Sequence, residues 1–380
     1  MKLNQIATIL NETIVPNLLG EETTIADDLS NLVELGTAIA DLTGDEFLNY
    51  AKNFAVGVAR NVMDTRIYRS SYYGLMSDAR EYGGVVQRAK AKNIISAVDM
   101  PIWTLENGTD YFDGVYHGID PDVKIYSRDT AFQVEYSIPN EMYKQYFTSA
   151  DGIAELVSLI ESNVRSSIEV KLEGLAKTTL QQLIASAGND RTLHMVTLYN
   201  DTFNPETDLT TNTCLHDPSF LRWFVEQTLR LRDMFKDMNK KYNDGTVPTF
   251  TPDEDLRITM LTELDKAIVC SMLADTFHRD LLEIGEYNRI NFWQNSSDDL
   301  LPSLGVTAEV KYQDEDDAEA TTISSVGAVI YDRFSCGVTA RMNKVNAQII
   351  GRGDFTTYYH NVAQSRFVDT RQSAIVLALD

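Results

Sequence analysis

Between Ala150 and Ala187 the chain runs 38 residues with no proline and only two glycines. Ile153, Leu156, Val157, Ile160, Val164, Ile168, Leu172, Leu175, Leu180 and Leu183 recur there mostly at steps of three or four, the repeat of one helix face. At about 1.5 Å per residue such a helix is a rod of roughly 57 Å, longer than a globular domain ordinarily holds. The rest of the chain must therefore be laid along a spine. Ser149 or Asp151 can cap its start, and Gly188-Asn189-Asp190 closes it.

The segments on either side differ in texture. Residues 1–59 read as an acidic helical arm in which Leu29, Leu32, Val33, Leu35 and Ile39 keep helical spacing, interrupted earlier by Pro16 and Gly20. Residues 60–98 read as a helical and linking segment where the charge reverses, with Arg60, Arg66, Arg69, Arg80, Arg88, Lys90 and Lys92 against Asp64, Asp78 and Glu81. That reversal is either a solvated helix face or a hold for an acidic surface of a neighbouring subunit. Residues 99–148 read as an extended loop broken at Asn107-Gly108, Asp113-Gly114 and Gly118 to Pro121. Within it Phe132, Val134, Tyr136 and Ile138 alternate with Gln133, Glu135 and Ser137, the period of a strand with one buried face, and a short helix is expected over 141–147 behind Asn140.

Beyond the spine helix (149–190), residues 191–325 form a mixed central region. Thr192 to Thr211 reads as loop-rich, and Asp217-Pro218 opens an amphipathic helix with a cap residue followed by proline at the first helical position. A strand is expected around Arg257 to Met260 and a helix from Asp265 to Leu282, with an acidic irregular stretch over 298–319. Residues 326–380 read as strands at 326–331, 337–350, 358–367 and 373–379.

No motif of reaction chemistry accompanies this organisation. GxSxG, HExxH, GxxxxGK[ST] and a strand-borne GxGxxG are all missing. His117, His194, His216, His278 and His360 are scattered, without the close pair that metal ligation favours. Cys214, Cys270 and Cys336 are too far apart for a CxxC pair and read as reduced packing thiols. Asp314-Glu315-Asp316-Asp317 lacks the spacing of a calcium loop and reads as solvated. Arg352-Gly353-Asp354 reads as a turn between strands, with Gly351 and Gly353 supplying positive φ. A formal net charge of -23, from 56 acidic against 33 basic residues, argues against a dedicated nucleic-acid binder. Aromatics interleave with no Lys/Arg stripe and are assigned to core and interface packing. No window approaches the length of a membrane span, and a soluble compartment is expected.

Three passages resemble the major capsid protein of tailed bacteriophages, the Hong Kong 97-like fold. They are Phe132 to Pro139 running through Tyr146-Phe147 and Ser149 to Ile153 into the spine, the strand at 257–260 with its following helix, and the terminal strands from Val326 to Arg333, Val338 to Ile349 and Asp369 to Leu377. The resemblance implies an α+β fold with an N-terminal arm, an extended loop, a long spine helix and two β-containing subdomains, completed by the return of residues 326–380.

It implies a head protein, not an enzyme, with no catalytic residue, metal or cofactor, which self-assembles as hexamers and pentamers into an icosahedral shell around double-stranded DNA. Scaffolding, portal and decoration proteins are the expected partners, with no membrane and no sequence-specific DNA contact. The expected location is the virion, assembled in the host cytoplasm. Trp103, Tyr111, Phe112 and Tyr116 are the expected assembly contacts, lying against a neighbour's spine helix, and acidic residues are expected to outnumber basic ones on the shell's inner face. The alternatives are a tail-tube or portal subunit, or a hydrolase holding a metal at carboxylates such as Asp253-Glu254-Asp255.

Overall fold

The computed structural model describes residues 76–77, 86–92, 103–111, 118–126, 128–139, 141–142, 150–273, 287–294, 308–313 and 320–380, together with Asn11. In chain order the elements are β1 (Met76–Ser77), β2 (Val86–Ala91), β3 (Pro121–Tyr126), β4 (Arg128–Pro139), α1 (Ala150–Ala187), β5 (Thr192–His194), α2 (Met195–Phe203), a 3-10 turn at Cys214–His216 and α3 (Pro218–Lys236). There follow β6 (Leu256–Leu261), α4 (Thr262–Leu273), β7 (Asn288–Ile290), β8 (Val310–Tyr312), β9 (Thr321–Ile323), β10 (Val326–Asp332), β11 (Cys336–Ile350), β12 (Phe355–Val368) and β13 (Ala374–Ala378).

The spine helix α1 has the span its periodicity predicts, and Gly188 ends it at φ +55, in the left-handed region that glycine enters without a Cβ penalty. Its burial changes along its length. Among the described side chains, Leu156, Ile160, Val164, Ile168 and Leu172 form one buried row at four-residue steps, whereas Ala176, Thr179, Leu180, Leu183, Ile184 and Ala187 bury a broader face. The first part crosses a four-stranded sheet ordered β1-β11-β12-β4. The second part joins the main core, which is built on a five-stranded sheet ordered β5-β13-β10-β6-β7.

In that second sheet β10 and β13 are buried at every position, because helices and loops cover both faces, and their sequences are correspondingly near-continuous apolar runs. At Gly327, beside a register shift in the β10–β13 pairing, an added Cβ would lie 2.8 Å from Leu379 Cγ, so the close approach of the two strands requires glycine. In the four-stranded sheet β11 and β12 form a long antiparallel hairpin, and β4 pairs along nearly the whole of β12. The Phe132, Val134, Tyr136 and Ile138 side of β4 is the more buried one, as the alternation predicts. Helix α3 starts as expected: the Asp217 side chain accepts from the backbone N–H groups of Ser219 at 2.7 Å and Phe220 at 3.1 Å.

Several expectations need correction. Val86–Ala91, expected within a helical linking segment, is a strand paired with β3. The loop-rich reading of Thr192 to Thr211 missed β5 and the helix α2. Helix α4 begins at Thr262, three residues before the expected start. In the turn at 351–354 the positive φ belongs to Asp354, at 50°, and not to Gly351 or Gly353. Cys214 and Cys336 are buried, but Cys270 is exposed and packs in no core. The arm expected at 1–59, apart from Asn11, and the acidic run at 314–317 lie outside the described residues, as does most of the short helix expected at 141–147.

Candidate assembly site

Strands β2 and β3 form an antiparallel hairpin whose connecting loop contains residues 103–111. Its polarity is reversed. In a sheet with one face on a core, apolar residues ordinarily point inward and polar ones outward. Here Arg88, Lys90, Asp122, Lys124 and Tyr126 take the partly buried side, and Ala89, Ala91, Val123 and Ile125 are exposed, Ile125 at 63%.

The inward charges are satisfied by this chain's own C-terminal turn. Arg371, with 0% of its side chain exposed, extends its guanidinium into the hairpin. Nε donates to Asp369 Oδ1 at 2.9 Å and Nη2 to Asp369 Oδ2 at 3.0 Å. Nη1 donates to the Asp122 carbonyl at 3.0 Å and to Asp122 Oδ2 at 2.9 Å, and Nη2 reaches the Arg88 carbonyl at 3.3 Å. These contacts match the donors a guanidinium possesses. Burial alone would raise the Asp369 carboxyl, but the Arg371 donors outweigh it and hold the group below the usual carboxylate range.

Peripheral contacts surround this pair. Lys90 donates to the Arg371 carbonyl at 3.4 Å, and its burial lowers the ammonium pKa. Lys124 Nζ lies 3.4 Å from Asp244 Oδ2, and the Thr370 hydroxyl donates to the same carboxylate oxygen at 2.9 Å. The Arg88 guanidinium donates to the Phe334 carbonyl and lies over the Phe367 ring, 4.5 Å from its centroid. Arg88 and Lys90 thus face their own chain; the readings of a solvated helix face or a hold on a neighbour's acidic surface do not describe them.

Of the residues expected to make assembly contacts, Trp103 is 92% exposed and Tyr111 is exposed, its hydroxyl accepting from the Glu106 backbone N–H at 2.8 Å. Phe112 and Tyr116 lie outside the described residues. The other two tryptophans are packed: Trp293 is buried and donates to the Val326 carbonyl at 2.8 Å, and Trp223 lies edge-on to Tyr199. An open cleft of about 530 Å³ runs between α1 and β4, lined by residues 132–135 of the strand and by Ser166, Ser167, Val170 and Lys171 of the helix. Val170, 69% exposed, presents an apolar side chain to it.

Sequence reasoning did not single out the Asp369, Arg371 and Asp122 cluster. Asp369 and Arg371 stand in sequence only as the start of the passage Asp369 to Leu377, and nothing local links them to Asp122, which lies 249 residues before Arg371.

The alternative metal site finds no geometry. Asp253 is ion-paired with Arg232 and with Lys236, each at 3.0 Å, and among the described residues no group of three or more His, Cys, Asp or Glu side chains could hold a metal ion. No described helix is long and apolar enough to cross a membrane.

A long helix spanning two sheets, an outlying hairpin and a strand-rich return define the Hong Kong 97-like class of α+β capsid folds. The capsid of Staphylococcus phage Andhra is similar over 83% of this chain and 86% of that one, at TM-score 0.52 and 12% identity. The mature capsid of bacteriophage PhiM1 is similar over 82% and 88%, at TM-score 0.44 and 10% identity. No curated protein matches the sequence. Residues 24–378 match the Phi29-like phage major capsid protein family, and the chain belongs to that family. It is a major capsid protein, and the tail-tube, portal and hydrolase alternatives give way to that assignment.

Proposed function

We propose that this chain, as hexamers and pentamers, forms the icosahedral wall of a phage head around double-stranded DNA, and that the β2–β3 arm is the projection by which one subunit overlaps the next. The observation that carries the reading is the reversed polarity of the hairpin. Apolar surface left in water forgoes about 25 cal/mol per Å², and an outward face of Ala89, Ala91, Val123 and Ile125, with the exposed Trp103 and Tyr111 in the connecting loop, gains that free energy only against another molecule. The cleft beside Val170 on a neighbour's spine is the proposed seat for the loop aromatics Trp103, Tyr111, Phe112 and Tyr116.

Many modest contacts of this kind give a closed lattice through avidity, while each remains weak enough for a misplaced subunit to leave. The role is structural and non-enzymatic, exercised in the virion after assembly in the host cytoplasm, with scaffolding, portal and decoration proteins as partners. The net charge of -23 fits an inner face on which acidic residues predominate, so that the wall encloses DNA without adhering to it. Deleting residues 101–121 is expected to leave a soluble subunit that makes no shells; intact shells from that deletion in electron micrographs would overturn the role of the loop.

A further inference from the structure

We infer that Arg371 is a positioning residue for assembly: through Asp122 and Asp369 it fixes the angle at which the β2–β3 arm leaves the body, and so the geometry with which subunits meet. The inference rests on the arm being the overlapping projection proposed above.

The argument begins with the chemistry of the seat. An apolar dock is non-directional and tolerates sliding, because its free energy follows the area covered. The guanidinium is planar, with five N–H donors in a rigid fork, so acceptors placed around it define one geometry. Asp369 takes Nε and one Nη2 bond from the body side. The hairpin supplies the Asp122 carbonyl, the Asp122 carboxylate and the Arg88 carbonyl. Two of these acceptors are backbone carbonyls on paired strands, since Lys90 lies opposite Asp122 and Arg88 opposite Lys124. The fork therefore registers the backbone of both strands at once.

The acceptors are also interdependent. If the hairpin lifts away, a fully buried guanidinium loses three of its acceptors, and the Asp122 carboxylate loses its cation. Leaving such donors unmatched is far more costly than losing an exposed ion pair. A hairpin of two strands is marginal by itself, so its direction is set by what it docks on. Because the docked side is charged, the apolar side is left facing outward, which makes the reversed polarity a consequence of the clasp.

The test is hydrogen exchange on the unassembled full-length subunit, together with cryo-electron microscopy of assembled particles, for wild type, Asp122→Asn and Asp122→Glu. Asp122→Asn keeps the backbone carbonyl but removes the charge. It is expected to speed exchange across 86–92 and 118–126 by about tenfold or more, while amides of β10 and β13 stay at wild-type rates. Its particles should spread in diameter or remain open. Asp122→Glu restores a carboxylate and should recover most of the protection and the uniform diameter.

Wild-type exchange in Asp122→Asn, or faster exchange with particles of uniform wild-type diameter, would overturn the inference. If deletion of 101–121 leaves shells intact, the arm reading itself fails, and the exchange measurement still decides separately whether the clasp holds the hairpin.

Discussion

The His360 imidazole lies stacked on the Tyr136 ring, centroids 5.5 Å apart, and neither of its ring nitrogens has a hydrogen-bond partner. His360 is wholly buried in β12, between Val134 of β4 and Val345 of β11 in the ladder, with Tyr358 and Val362 as its neighbours two residues away along its own strand. Burial lowers its pKa from 6.5 to about 4, with no charged neighbour offsetting the loss of solvation.

That relationship gives the subunit an acid sensitivity of known sign. Between pH 6.5 and 4 the unfolded chain takes up a proton at this site that the native state refuses, so stability falls as pH falls through that window, by about 3 kcal/mol at its lower end. Asp332 acts oppositely: burial raises its carboxyl, so its contribution grows as pH falls. Denaturation of unassembled His360→Phe should show a shallower pH slope than wild type between pH 6.5 and 4. Parallel slopes would refute the assignment.

Gly327→Ala is expected to lower stability by about 1–3 kcal/mol, because the new methyl meets Leu379 where both strands are fully packed. Leu379→Ala opens the same space at its own cost. In denaturant titrations the double variant should be less destabilised than the sum of the two singles by at least about 0.5 kcal/mol. Strict additivity would mean that the strands part instead of the side chain yielding.

Two changes on adjacent sides of the spine separate folding from assembly. Ile168→Ala, on the buried row, should cost about 2–5 kcal/mol in thermal or chemical unfolding. Val170→Asp, on the exposed side, should leave the subunit within about 0.5 kcal/mol of wild type yet raise the concentration needed for particles, followed by light scattering. Unchanged assembly in Val170→Asp would remove the cleft from the contact.

Thiol titration distinguishes the three cysteines. Cys270 should react rapidly in the native subunit, whereas Cys214, pushed up to about 11 by burial, and Cys336, raised further, should react only after unfolding. Reaction of all three at one rate in native buffer would contradict the burial of the two core thiols.

The parts of the fold legible in sequence were those whose signal is local. The 38-residue apolar stripe, the Asp217-Pro218 cap and the alternation of Phe132, Val134, Tyr136 and Ile138 each carry their own period or turn chemistry. The hairpin was illegible for a physical reason. Alternation in Arg88-Ala89-Lys90-Ala91 and Asp122-Val123-Lys124-Ile125 shows that two faces exist but not which is buried, and the ordinary rule places charge outward. Here a distant buried arginine reverses that choice. Trp103 and Tyr111, both exposed, entered as contact candidates only through the resemblance to a shell subunit with an overlapping loop, since no local period marks them.

The uneven burial of α1 makes it a beam clamped at one end. Near Ala187 a broad face is gripped by the main core, while between Leu156 and Leu172 the buried side chains among those described form one row against the other sheet. Over roughly 57 Å, a tilt of about 5° at the clamp moves the far end by about 5 Å. The helix is thus a lever: a small adjustment where it enters the five-stranded core would be magnified at its opposite end, without repacking of the interior in between.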